Sequence, residues 1–150
     1  HGDARRALDL LRVAGELAER SSNNKIKVEH IDLANEKIEK DKILDVVETG
    51  TKQFQMILYS IIELVEKDKN NSVFTGDIFD FYEIICKKVN IDILTQRRVS
   101  DIIAELDMLG LINARVISKG RHGRMREIKL AIPEGIKEKA KLILEESLGL

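Results

Sequence analysis

LTQRRVSDIIAELDMLGLINARVISKGRHGRMREIKL, residues 94–130, changes its hydrophobic period once, and that change decides the fold. Val99, Ile102, Ile103, Leu106 and Leu109 recur every three or four residues, which gathers apolar side chains on one face of an α-helix. Thr95 stands where an N-cap belongs, and Gly110 closes the segment. After Gly110 the period drops to two. Ile112, Ala114 and Val116 alternate with more polar neighbours, and so do Ile128, Leu130 and Ile132. The pattern predicts a β-hairpin with SKGRHGR, residues 118–124, at its tip.

Working outward, Phe54, Ile57, Leu58, Ile61, Ile62 and Val65 predict an earlier helix, and KDKNNS at 67–72 a loop. Val73–Thr75 is long enough for a very short strand. Ile78, Phe79, Tyr82, Ile85 and Val89 then mark another helix, with Cys86 as buried filler at helical spacing from Tyr82 and Val89. Pro133 opens a last helix whose inner residues are Ile136, Ala140, Ile143 and Leu144. Helix, short strand, helix, helix, hairpin, helix is the order of a winged helix-turn-helix, expected over residues 51–150.

The first fifty residues read differently. A helix is predicted over 3–20, capped by Asp3, with Ala4, Ala7, Leu8, Leu11, Ala14 and Ala18 as its apolar stripe. After the polar turn SSNNK at 21–25, a second helix runs from about Val28 to Thr49 and ends at Gly50. Its inward residues are Ile31, Ala34, Ile38, Ile43, Val46 and Val47. Two helices bury too little surface to stand alone, so residues 1–50 are expected to be part of a larger domain. The opening HGDARRALDLL reads like the interior of a longer protein. The chain as a whole is predicted to be mainly α.

Composition narrows the function classes. The 150 residues carry a formal net charge of −1 and one cysteine, Cys86, which leaves no internal disulfide and suits a reducing compartment. No apolar run approaches the roughly 20 residues of a membrane span, and no signal peptide is visible. His1, His30 and His122 lack metal-ligand spacing, and no Ser–His or Cys–His pair falls where this architecture would unite it. An enzyme is the class least supported.

Charge supplies the positive argument. Residues 95–129 hold eight basic and four acidic side chains, a local excess of +4 in a chain whose total is −1. Localised positive charge is what phosphate binding requires. On the 95–109 helix the face away from the core carries Arg97, Ser100, Asp101 and Ala104, flanked by Gln96 and Arg98. Arginines in a first turn oppose the helix dipole by about 0.3–1 kcal/mol each, unless an anion sits there. A DNA duplex supplies one, and Gln or Arg at that end reaches base edges in the major groove. If Arg97 and Arg98 instead pair with Asp92 or Asp101, the face is ordinary solvated surface. At the hairpin tip, Gly120 and Gly123 allow positive backbone angles. Lys119, Arg121, His122, Arg124 and Arg126 surround them, a slim cationic tip suited to the negative minor groove.

These residues carry a resemblance. HGDARRALDLLRVAGELAE resembles the sensor-2 helix of AAA+ replication initiators. LTQRRVSDIIAELDMLGLINARVISKGRHGRMREIKL resembles the winged helix that follows it in archaeal initiators of the origin recognition complex and cell-division-cycle family. The domain order also agrees. The resemblance implies a cytoplasmic, nucleoid-associated initiator that binds double-stranded origin DNA and helps load the MCM-type replicative helicase, with other initiator copies as further expected partners. The DNA-binding residues would be Thr95, Gln96, Arg97, Arg98, Ser100, Lys119, Gly120, Arg121, His122, Gly123, Arg124 and Arg126. It further implies ATP and magnesium in the full-length protein, with Arg5 as the γ-phosphate sensor. This chain lacks the GxxxxGK[ST] loop and the acidic magnesium motif, so no cofactor is expected on it unaided. The family's second DNA contact, from the ATPase domain, is missing too. Two other readings stand beside this one. The winged helix could serve mainly as a docking module for the helicase or another initiator copy, through Asp77, Asp80 and Glu83 or through the terminal helix IKEKAKLILEESLGL, or residues 51–150 could act as a stand-alone transcriptional regulator.

Overall fold

The computed structural model describes residues 2–118 and 120–150. It divides into two compact units, one ending at Asp45 and one running from Val46 to Leu150.

The first unit contains α1 (Gly2–Arg20) and most of α2 (Val28–Thr49). Val13 and Ala14 of α1 meet Ala34 of α2, with Leu10, Leu17, Ile31 and Ile38 packed around them. Ala14 and Ala18 of the expected stripe are buried, but Ala4, Ala7, Leu8 and Leu11 are not. Leu8 and Leu11 are exposed, because the buried face of α1 follows the bulkier 10–13–14–17 row instead. Asp3 is likewise no cap. It lies inside the first turn of α1, where its charge still favours the positive helix end. The turn into α2 is built around the buried His30 (4% exposed), whose Nδ1 accepts the Lys27 N–H at 2.9 Å. A side chain three residues into a helix reaching back to the cap N–H performs half of a capping box.

In the second unit the final turn of α2 leads into α3 (Lys52–Lys67), then β1 (Val73–Phe74), α4 (Thr75–Val89), α5 (Gln96–Met108), β2 (Ile112–Ser118), β3 (Arg124–Leu130) and α6 (Glu134–Leu148). The unit expected over 51–150 thus takes in the tail of α2. The three strands form an antiparallel sheet in the order β1-β3-β2. Helix α3 is the spine and contacts α4, α5, α6, β1 and β3. Met56, Ile57, Leu58, Ile61 and Ile62 are fully enclosed, and each such side chain contributes about 1.5–3 kcal/mol of burial. Buried polar groups on α3 are satisfied. Gln55 Nε2 donates to the Val47 and Glu48 carbonyls at 3.0 and 3.2 Å, and Gln55 Oε1 accepts from Ser147 Oγ at 2.8 Å. Lys52 Nζ also bonds the Ser147 carbonyl. One side chain therefore ties the end of α2 to the end of α6.

A charge network seals α3 against α6. Lys141 Nζ reaches Glu63 at 2.7 Å and Glu66 at 2.8 Å, and Lys137 joins Glu66 to Glu134. Hydrogen bonds donated to Glu63 and then to Glu66 push the Lys141 ammonium well above its ordinary 10.5. Burial alone would raise the Glu63 carboxyl, but hydrogen bonds from Lys141 and Lys67 outweigh it and hold the group below its ordinary 4.5. A depressed acid stabilises the fold above its unfolded value and loses that contribution as pH falls through the folded value. A raised lysine stabilises below 10.5 and loses its contribution as pH climbs through the folded value. We expect Lys141→Met to cost about 1–3 kcal/mol near neutrality, between exposed and buried pairs. The gap should narrow below pH 4.5, as urea unfolding at pH 7 and at pH 3.5 will test.

Candidate nucleic-acid interface

The N-terminus of α5 is held in place before it presents any side chain. Asn90, in the left-handed conformation (φ 58°), stops α4, as a short polar side chain does readily. Tyr82 then fixes the connecting turn. Its hydroxyl accepts the Leu94 N–H at 3.0 Å and donates to Gln53 Oε1 at 2.5 Å, while Gln53 Nε2 donates to the Asp92 carbonyl at 2.8 Å. Burial is the main reason the Tyr82 hydroxyl is pushed up to about 12, so it remains a neutral donor at any working pH. Sequence reasoning placed Tyr82 in the core and missed its latch role, because neither Gln53 nor Leu94 is near it in sequence. Asn90 at the end of KKVN was a readable stop signal.

Thr95 caps α5, its Oγ1 accepting the Arg98 N–H at 3.3 Å. Gln96, Arg97 and Arg98 are exposed and Ser100 is half-buried, while Val99, Ile103 and Leu106 point into the core. Leu109, expected on the inner stripe, is 47% exposed, because α5 has already ended at Met108. Asp107 closes the approach to the hairpin by accepting the Ala114 N–H at 3.1 Å.

The wing is β2 and β3. Its register pairs Ser118 with Arg124, Val116 with Arg126 and Arg115 with Glu127. Side chains alternate across a strand, so Arg124 and Arg126 share one face and Arg115 takes the other. The tip is a short 3₁₀ turn, Gly120–His122, followed by Gly123. Gly120 and Gly123 have φ of 59° and 87°, angles a side chain would oppose. Arg121, His122 and Arg124 are exposed on this turn. Lys119, predicted to belong to the same cluster, lies outside the described residues, as does His1.

Lys129 of β3 lies 4.0 Å from Glu127, but the arginines of this region are not paired among the described residues. Arg97, Arg98, Arg115, Arg121, Arg124 and Arg126 have no carboxylate within ion-pair distance among the described residues, and neither Asp92 nor Asp101 engages them. Elsewhere Arg6 pairs with Glu39 at 3.0 Å and Arg12 with Glu16 at 3.0 Å, besides the α3–α6 network. Arg5 and Arg6 are also told apart. Arg6 is committed to Glu39 and Asn35 of α2, whereas Arg5 is exposed and unpartnered among the described residues.

Helix pair, three-helix core and two-stranded wing define a winged helix-turn-helix joined to a lid-type helical segment. Two family models match this division: the CDC6 C-terminal winged-helix domain over residues 45–140 and the Cdc6 AAA+ ATPase-type lid domain over residues 1–36. The chain belongs to the ORC1/Cdc6 family of replication initiators. It is 50% identical over 149 residues to ORC1-type DNA replication protein 4 of Haloarcula marismortui, covering 99% of this chain and 28% of that protein. It is 49% identical to ORC1-type DNA replication protein 1 of Methanosarcina mazei, covering 97% of this chain and 35% of that one. The chain thus spans about a third of these relatives' length. Among solved structures, the Aeropyrum pernix ORC1 protein in complex with DNA superposes with a TM-score of 0.82 at 43% identity, covering 97% of this chain and 37% of that one. Among the described residues no helix is long and apolar enough to cross a membrane.

Proposed function

We propose that this chain is the duplex-binding end of a replication initiator. Helix α5 enters the major groove N-terminus first, with Gln96, Arg97 and Ser100 facing base edges and phosphates. The wing lies in an adjacent minor groove, with Arg121 and Arg124 deepest and Arg126 on the backbone. One observation carries the reading: the arginines of α5 and the wing are exposed and, among the described residues, have no carboxylate within ion-pair distance. The likeness to an ORC1 protein solved with DNA supports it.

In the full-length protein the same reading couples this end to ATP and to helicase loading. Arg5, exposed and without a partner among the described residues, fits a phosphate-sensing role, placing a guanidinium against a nucleotide held by another domain. The chemistry of hydrolysis would belong to that domain. Binding by the winged-helix unit alone should be modest, because one set of contacts is absent. The test is titration of the 150-residue chain against origin and random duplexes at two salt concentrations. Binding to both, tighter on origin DNA and falling steeply with salt, supports the proposal. Failure to bind either duplex at low salt would sink it.

A further inference from the structure

Helix α4 has two stripes, and only one of them is core. Ile78, Tyr82, Ile85 and Cys86 are buried. Asp77, Asp80, Phe81 and Ile84 fall at i, i+3, i+4 and i+7, a second face of the same helix. That face looks into a groove of about 640 Å³, closed on its other sides by Leu64, the 68–72 turn, β1 and Glu127. Phe74, Phe81 and Ile84 line it, and Ile84 is 63% exposed, costly for a side chain with no partner. Lys67 also lines the groove, its ammonium 5.4 Å from the Phe81 ring centroid, but it is paired with Glu63 at 3.3 Å and not with Asp77 or Asp80. Asp77 and Asp80 have no cationic partner among the described residues. The groove lies along β1, on the opposite edge of the sheet from β2, and its sign is opposite to that of α5 and the wing.

We infer that this groove docks a basic, amphipathic helical segment of a partner protein. Apolar anchors of the segment would cover Phe81 and Ile84, and lysines or arginines flanking them would meet Asp77 and Asp80. Phosphate is excluded by the carboxylate rim, so nucleic acid and anionic lipid are not the occupants. The inference goes beyond the DNA-binding reading and does not rest on it.

The test uses the ¹⁵N-labelled 150-residue chain and a helical Leu/Lys peptide of about 15 residues, some four turns. A Ser/Lys peptide of equal charge and a short DNA duplex serve as comparison probes. The Leu/Lys peptide is expected to shift amides of residues 73–84 and 127, the Ser/Lys peptide to bind at least about tenfold more weakly, and the duplex to leave these amides unmoved. Both Asp80→Lys and Ile84→Ser lie at exposed positions, so each should stay folded, keep its duplex affinity and lose the peptide by about tenfold or more. Equal binding of the two peptides, unchanged binding by both variants, or duplex shifts centred on the groove would each overturn the inference.

Discussion

Replacing Arg121 and Arg124 together with alanine is expected to weaken duplex binding by about ten- to a hundredfold near physiological salt, and to flatten its salt dependence. Each phosphate contact releases close to one counterion, so the slope of log affinity against log salt should fall by roughly two units. Both side chains are exposed, and neither makes an ion pair among the described residues. Folding stability should therefore change little. A control removing Arg12 and Arg20 of the first unit takes away the same formal charge without touching the wing. It should leave the slope almost unchanged. If the wing variant kept the parental slope, the hairpin would have to be removed from the mechanism and α5 alone would carry binding.

The second large effect is expected at Tyr82, the bulkiest fully enclosed side chain. Tyr82→Phe keeps the ring but strips the Leu94 N–H and the Gln53 amide of their shared partner, at a cost of about 1–3 kcal/mol. Tyr82→Ala adds a cavity, for about 3–5 kcal/mol in all. The informative variant is the phenylalanine. It loosens the turn that aims α5 without touching a cation, so DNA affinity should drop while the salt slope holds. Denaturant melts combined with binding isotherms at two salts will separate the two contributions. A full-affinity, fully stable Tyr82→Phe would show that the turn needs no latch.

Much of this architecture was legible in the chain because its cues are local. The predicted span of α2 matches the observed Val28–Thr49, Thr95 caps α5, and both tip glycines adopt positive φ. Each depends on spacing or on a residue's own backbone preference. What escaped depends on distant partners. Nothing within α1 says whether the 4–8–11 or the 10–13–17 row faces inward; Ala34 and Ile38 of α2 decide that. Likewise GDARR offers two adjacent arginines, and only Glu39 determines which one is occupied. The candidate interface was readable as a density of charge, but its freedom from internal pairing was not. Asp92 and Asp101 were close enough in sequence to be rivals, and only the structure shows that neither is within ion-pair distance of Arg97 or Arg98 among the described residues. The groove on α4 was half visible: its acids were noted, whereas its apolar floor is assembled from α3, β1 and α4 together.

The Gln55 clamp has a practical corollary for anyone shortening the gene. Gly50 looks like a natural place to cut, since a helix stops there and a new one starts. A product beginning at Thr51 would nevertheless lose the wholly buried Val47 and leave the Gln55 amide facing an empty slot. The smallest well-behaved recombinant piece should start at or before residue 45, carrying a stub of the preceding helix as an integral plug.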